Sequence, residues 1–343
     1  MRFASLLSAL LLTLSLTEAA VATDAPAPQT TQLDHILLWG RSIDQVSAAM
    51  SVKLGFQILP GRDPAGVANR YVRMDDRSYV ELLGITQAKP QLDPGMDADQ
   101  KVLRGGPGSR TFGFRSSTLD QSRAFLQAQG FKTTQVFSAS ANDPAGAGPS
   151  KPPRWRLFAF DTQPLTTNLF VIDYPAGGAK PIPAVDDRIA REHPNGAKEL
   201  SALWLLSANA DAERKQFERL GFADAVPVRI PQIAARGYCV PVGSKRVYAL
   251  QPDGAGIAAD ALHSGGAQVL GVSIGVEDLD LAKRRVEHGY ETTLANYQGL
   301  MGDSFLAPTQ DDLGLLMEFH ALSKTTADKA CRQVAHAHAP EPR

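Results

Sequence analysis

Four stretches of this 343-residue chain repeat one pattern, and that repeat limits the fold more than any single motif does. In each, apolar residues recur at helical spacing until the run stops at a glycine followed by an aromatic: Leu54-Gly55-Phe56, Gln129-Gly130-Phe131, Leu220-Gly221-Phe222 and His288-Gly289-Tyr290. The glycines lie 75, 91 and 68 residues apart. Ile43, Val46, Met50 and Leu54 share one helical face, as do Leu279, Ala282 and Val286. Glycine supplies the left-handed residue that ends each helix.

A short apolar strand precedes each helix, at 33–40, 111–115, 200–206 and 269–276. Strand-like segments separated by turn residues follow it, in the first copy at 56–59, 69–74 and 78–85. The repeating unit is therefore βαβββ, and the fold class is α+β. A curved sheet with one helix on one side cannot close a core alone, so the four units pair into two domains, residues 33–175 and 199–322. Residues 176–198 are rich in Pro, Gly and charge without periodicity, which predicts a linker. Residues 323–343 form a tail.

The N-terminus reads as an export signal. Met1-Arg2 is followed by an uncharged Leu/Ala/Ser run from Phe3 to Leu16, and Ala20-Val21-Ala22 offers the small residues of a cleavage site, so residues 1–22 are expected to be removed. The run is too short for a membrane span. The expected location is periplasmic or secreted, with no membrane span after cleavage. An oxidising compartment permits one disulfide between Cys239 and Cys331, the two cysteines present, while the alternative for Cys239 is a buried small hydrophobe. Lys and Arg total 35 against 36 Asp and Glu, a balance that excludes the basic field of a nucleic-acid binder. No glycine fingerprint for a nucleotide cofactor follows a strand; Gly105-Gly106-Pro107-Gly108 lacks the Lys-Ser/Thr of a phosphate loop.

The order Leu33-Asp34-His35-Ile36-Leu37, a helix ending at Gly55, Asn69, and Tyr79-Val80-Glu81-Leu82-Leu83 resembles the first module of the vicinal oxygen chelate superfamily, which holds glyoxalases, extradiol dioxygenases and bleomycin-resistance proteins. Arg154-Trp155-Arg156-Leu157 and Leu169-Phe170-Val171-Ile172 are similar to the second module of its glyoxalase-like branch. The close resemblance spans about 33–174; beyond it only the module pattern matches. It implies a divalent metal (Zn, Fe, Mn or Ni) in the cup of a paired sheet, held by a residue from the first and last strand of each module. His35 and Glu81 match in module 1. Thr111 and Phe170 stand at those positions in module 2, Ser201 and Gly271 at the first-strand positions of modules 3 and 4, and Glu318 at the last-strand position of module 4. If the first and last modules paired, His35, Glu81 and Glu318 would converge; sequential pairing, which the linker favours, would separate them.

His35 and Glu81 are thus the candidate catalytic pair. Asn69, Arg70, Tyr79, Trp155 and Arg156 are the candidate substrate-binding residues. Each also has a plain structural reading: a satisfied core histidine, a salt bridge from Glu81 to Arg70, Arg73 or Arg156, and aromatics that simply fill the core. The leading expectation is an exported enzyme, a lyase, isomerase or dioxygenase, acting on a small oxygenated organic molecule. The alternatives are a metal-free small-molecule-binding or resistance protein using the same pocket, and a scaffold with degenerate sites.

Overall fold

The computed structural model describes residues 31–63, 66–92, 99, 104–322 and 331. The expected signal segment, and the tail other than Cys331, lie outside them. Module 1 consists of β1 (Gln32–Trp39), α1 (Ile43–Ala48, continued by a π-helical turn at Ala49–Lys53), β2 (Leu59–Pro60), β3 (Val67–Arg73) and β4 (Tyr79–Ile85). Module 2 repeats this as β5 (Gly108–Arg115), α2 (Leu119–Ala128), β6 (Phe137–Ser138), β7 (Arg156–Ala159) and β8 (Asn168–Asp173). A short helix α3 (Ala184–Ile189) precedes module 3, which is β9 (Ala197–Leu206), α4 (Ala210–Arg219), β10 (Val226–Ile230), β11 (Ala235–Val242) and β12 (Lys245–Pro252). After α5 (Ile257–Gly265), module 4 comprises β13 (Gln268–Val276), α6 (Leu279–Tyr290), β14 (Asn296–Gly299), β15 (Gly302–Ala307), α7 (Gln310–Leu313) and β16 (Leu316–Ala321).

Local chemistry sets the helix starts. Ser42 Oγ accepts the Gln45 N–H, Asn209 Oδ1 the Ala212 N–H and Asp278 Oδ1 the Leu281 N–H, each cap worth about 1 kcal/mol. Gly55, Gly130 and Gly221 take positive φ of 77°, 83° and 96° where their helices end. The fourth copy departs from the expected stop: α6 runs through Gly289, and Glu291 takes the left-handed position at φ 50°. Packing requires the glycine there, because a Cβ on Gly289 would lie 2.2 Å from the Lys53 carbonyl oxygen at the end of module 1's helix.

Within each module the first strand lies parallel to the last, as in β1 with β4 and β13 with β16. Modules join first strand to first strand, antiparallel: β1 to β5 and β9 to β13. Pairing is therefore sequential. A single ladder pair, Val269 with Ser109, carries the sheet from one half into the other, giving 16 strands. One face of both halves shares a core with the helices, in which Ile36 and Leu203 from the strands meet Val46, Leu126, Phe217 and Val286. Each fully buried side chain of this size contributes about 1.5–3 kcal/mol. The other face of each half forms a cup.

The segment 176–198 is less of a free tether than its composition implied. Its end is buried against module 1: Asn195 Nδ2 donates to the Leu54 carbonyl (2.8 Å), while His193 accepts the Gln57 N–H at Nδ1 and donates from Nε2 to the Arg73 carbonyl, both at 2.9 Å. Ile182, Val185 and Ile189 remain exposed on and beside α3.

Candidate functional site

Antiparallel pairing of the first strands is interrupted at one repeated place. On β1 the register passes from Leu33 to His35 and leaves Asp34 unpaired; at the matching places of β5, β9 and β13 the residues left out are Arg110, Ser201 and Leu270, and β9 has a second break at Lys198. Such a bulge turns the strand and re-aims the side chains beside it. The residue after each bulge pairs with the last strand of its own module: His35 with Tyr79, Thr111 with Asn168, Ala202 with Arg246 and Gly271 with Leu316. Two residues further along those last strands stand Glu81, Phe170, Tyr248 and Glu318. The register thus places Ala202, not Ser201, at the module 3 first-strand position, because Ser201 is itself the bulged residue.

In the first cup the bulge brings Asp34 onto its own neighbour. Asp34 is fully buried, and its Oδ2 lies 2.8 Å from His35 Nδ1. With a carboxylate oxygen as the acceptor, Nδ1 is the donor of this bond, and the neutral imidazole in that tautomer has its lone pair on Nε2. The same Oδ2 accepts the Tyr174 hydroxyl at 2.7 Å, and Arg115 Nε stands 3.6 Å from Oδ1. Tyr79 stacks on His35 with ring centroids 4.1 Å apart and 13° between planes, its hydroxyl 3.2 Å from Nε2 and 3.2 Å from the Tyr174 hydroxyl. Nε2 therefore has two polar neighbours, the Tyr79 hydroxyl that hydrogen-bonds to it and the Glu81 carboxylate.

Glu81 Oε2 lies 3.9 Å from His35 Nε2. Asn69 fixes the other carboxylate oxygen: its Nδ2 donates to Glu81 Oε1 (2.9 Å) and to the Tyr71 hydroxyl (2.8 Å), while its Oδ1 accepts the Arg62 N–H (2.6 Å). Burial raises all three phenols; Tyr71 is pushed up to about 12 with help from the Glu81 charge, and the Tyr79 and Tyr174 hydroxyls are held well above their ordinary value. They stay neutral hydrogen-bonding groups. His35 is 3% exposed and Tyr174 39%, so the cup meets solvent beside Tyr174.

Module 2 supplies different groups. Thr111 Oγ1 donates to Asp99 Oδ1 (2.6 Å), whose other oxygen accepts the Trp39 indole N–H (2.8 Å). Burial pushes the Asp99 carboxyl up to about 6 against the pull of these bonds. Phe170 packs edge-on against His35, with centroids 5.1 Å apart and 61° between planes.

Among the expected substrate-binding residues, Asn69 and Tyr79 belong to the cup. Arg156 points to the helix side, pairing with Asp173 (2.6 Å) and with Asp120 of α2 (3.1 Å). Arg70 alternates with Asn69 and Tyr71 along β3 and donates to the Asn69 carbonyl. Trp155 precedes β7, its carbonyl holding the Ala139 N–H. Glu318 lies in the other cup, where it accepts from Ser273 Oγ and the Tyr297 hydroxyl at 2.6 Å each. Burial raises its carboxyl, and the Ser273 hydroxyl that donates to it also accepts the Trp204 indole N–H at 2.9 Å. Cys239 of β11 is bonded to Cys331 in the apolar cluster that holds Trp204. Sequential pairing therefore does not bring Glu318 to His35 and Glu81, and among the described residues no three His, Cys, Asp or Glu side chains gather into a metal site.

Residues 33–221, more than half of the chain, match the glyoxalase-like domain family. The chain belongs to that family. It is thereby a member of the vicinal oxygen chelate superfamily, and the match runs past 176–198 into module 3. No curated protein sequence matches it. Similar solved structures include a triple mutant of 4-hydroxymandelate synthase from Streptomyces coelicolor (11% identity, 90% of this chain and 98% of that one, TM-score 0.61). An extradiol ring-cleaving dioxygenase from B. fuscum follows (11% identity, 89% and 75% covered, TM-score 0.55), as does a catechol 2,3-dioxygenase (12% identity, 88% and 90% covered, TM-score 0.53). At such identities they support the glyoxalase-like fold of this protein and not its chemistry.

The metal that the superfamily implies would need three or four donors around open positions. The first cup offers His35 Nε2 and Glu81. At the module 2 positions Thr111 has committed its hydroxyl to Asp99 and Phe170 has no donor atom. This donor set does not fit a resident divalent ion. Asp34, Tyr174 and Asp99 were not singled out in the sequence; Asp34, next to the motif histidine, was the one with a local signal.

Proposed function

We propose that this glyoxalase-like protein is an enzyme that takes a small oxygenated organic molecule into its first cup and moves a proton there, as lyases and isomerases do. The observation that carries this reading is the Asp34–His35 pair, which turns Nε2 toward the Tyr79 hydroxyl and Glu81, so that a substrate group displacing the Tyr79 hydroxyl would meet the base. In the step, a C–H or O–H next to a substrate carbonyl gives its proton to Nε2, and the buried Asp34 charge stabilises the imidazolium that results. The neutral Tyr79 hydroxyl can turn its proton to a substrate oxygen, the Tyr174 hydroxyl spends its own on Asp34, and the Asn69 clamp holds Glu81 in one orientation. Asp34 is a positioning residue, because it acts through the tautomer of His35.

The test is a substrate screen with the intact protein, followed by H35A, E81Q and D34N on any hit. Loss of turnover in H35A with retained fold supports the reading, and full activity in an H35A/E81Q double variant overturns it. A second reading, binding without turnover, is favoured by the apolar floor of Leu37, Trp39, Val67 and Leu83 beside Phe170. Recovery of an unaltered ligand whose affinity depends on His35 would establish it. We also propose export; the Cys239–Cys331 bond supports an oxidising destination. Mature protein should begin at or near Thr23, and an intact Met1 on protein from the cytoplasm would count against it.

A further inference from the structure

The ladder register assigns four side chains to the ligand positions of the first cup: His35, Glu81, Thr111 and Phe170. Phe170 is not a neutral spectator there. Its ring edge faces the imidazole, and the strand between them has been cut back to admit it: a Cβ on Gly113 would lie 2.6 Å from Phe170 Cε2 and Cζ and 3.2 Å from His35 Cε1. Cβ atoms essentially never come as close as 2.6 Å to another heavy atom, so the Phe170 ring has its place because residue 113 is glycine; the His35 contact is tight but would need only a small shift. On its other side Phe170 continues the apolar floor of Leu37, Trp39, Val67 and Leu83.

We propose that Phe170 occupies the fourth ligand position in a cup that works without metal, and that its ring is the apolar wall against which the small molecule lies beside His35. This rests on the first cup being the small-molecule site. It adds the ligand's character: one apolar face toward Phe170 and Leu37, with a hydroxyl able to donate to Glu81 and an oxygen able to accept from the Tyr79 hydroxyl. The ring supplies none of the charge that a chelated ion would, which leaves the side chains to hold and move the proton.

The experiment is a titration of metal-stripped full-length protein with Co(II), read by calorimetry and by visible absorption, which needs no substrate. Wild type should show no stoichiometric binding. F170E, which puts at this position the carboxylate that module 1 has at Glu81, should gain one bound Co(II) per chain, and H35A in the F170E background should abolish the gain. F170D provides a shorter carboxylate should F170E fail to fold. Stoichiometric Co(II) binding by wild type that H35A removes would overturn the proposal, as would a folded F170E or F170D that gains none. If neither variant folds, the wild-type titration decides alone. A first cup that bound no small molecule would leave these titrations unchanged, so failure of the functional reading and failure of this one are separable.

Discussion

Replacing Asp99 by asparagine removes a charge held in the first cup with no exposure to water. Its carboxyl is raised from 3.8 to about 6, chiefly by burial, against the hydrogen bonds from Thr111 and Trp39. Between those values the native state binds more protons than the unfolded chain, so stability falls as pH rises through this window and is level above it. A shift of about 2 units corresponds to about 3 kcal/mol lost across that window. The D99N amide keeps one acceptor for the Trp39 indole but turns its NH2 toward Thr111, which costs about 1 kcal/mol for the Thr111 bond. The D99N variant is therefore expected to be more stable than wild type by about 1–2 kcal/mol near pH 8, and less stable by about 1 kcal/mol near pH 4. Urea unfolding of both proteins across this range gives a difference curve in which all other titrating groups cancel. A flat difference curve, or a D99N protein that is less stable near pH 8, would refute the reasoning.

Removing the imidazole with H35A should lower turnover by about a hundred- to ten-thousand-fold with an unchanged circular dichroism spectrum, as expected for loss of a general base; D34N should lower it less and alter the pH profile. The disulfide closes a separation of 92 residues, and the C239S/C331S pair should cost about 4 kcal/mol in denaturant unfolding; an unchanged midpoint would show that the bond constrains nothing. Burial holds His193 below its ordinary 6.5 while Nδ1 accepts from Gln57. Protonation breaks that bond, so stability here is lost as pH falls below about 6.5. Limited proteolysis should cut 176–192 faster near pH 5 than near pH 7.5, and H193F should flatten that dependence.

The repeat of helix stops, the strand before each stop and the strands after it were legible in the sequence, because helix and strand periodicity are local and glycine marks a local backbone state. His35 and Glu81 were legible for the same reason: each sits at a fixed place in a local motif. Gly289 was misread as a helix end because its role is a close approach to Lys53, more than two hundred residues away. What tertiary structure alone decided is who faces whom. Ladder register put Glu318 in the other cup and Arg156 on the helix side. The bulge folded Asp34 back onto His35, and Tyr174 arrived from a different module to share its carboxylate. A sequence records residue types and spacings, whereas pairing of first strand with first strand is selected by burial of faces that no single module can cover alone. The chemistry of the cup follows from that pairing, which is why His35 was visible in the chain and the group that orients it was not.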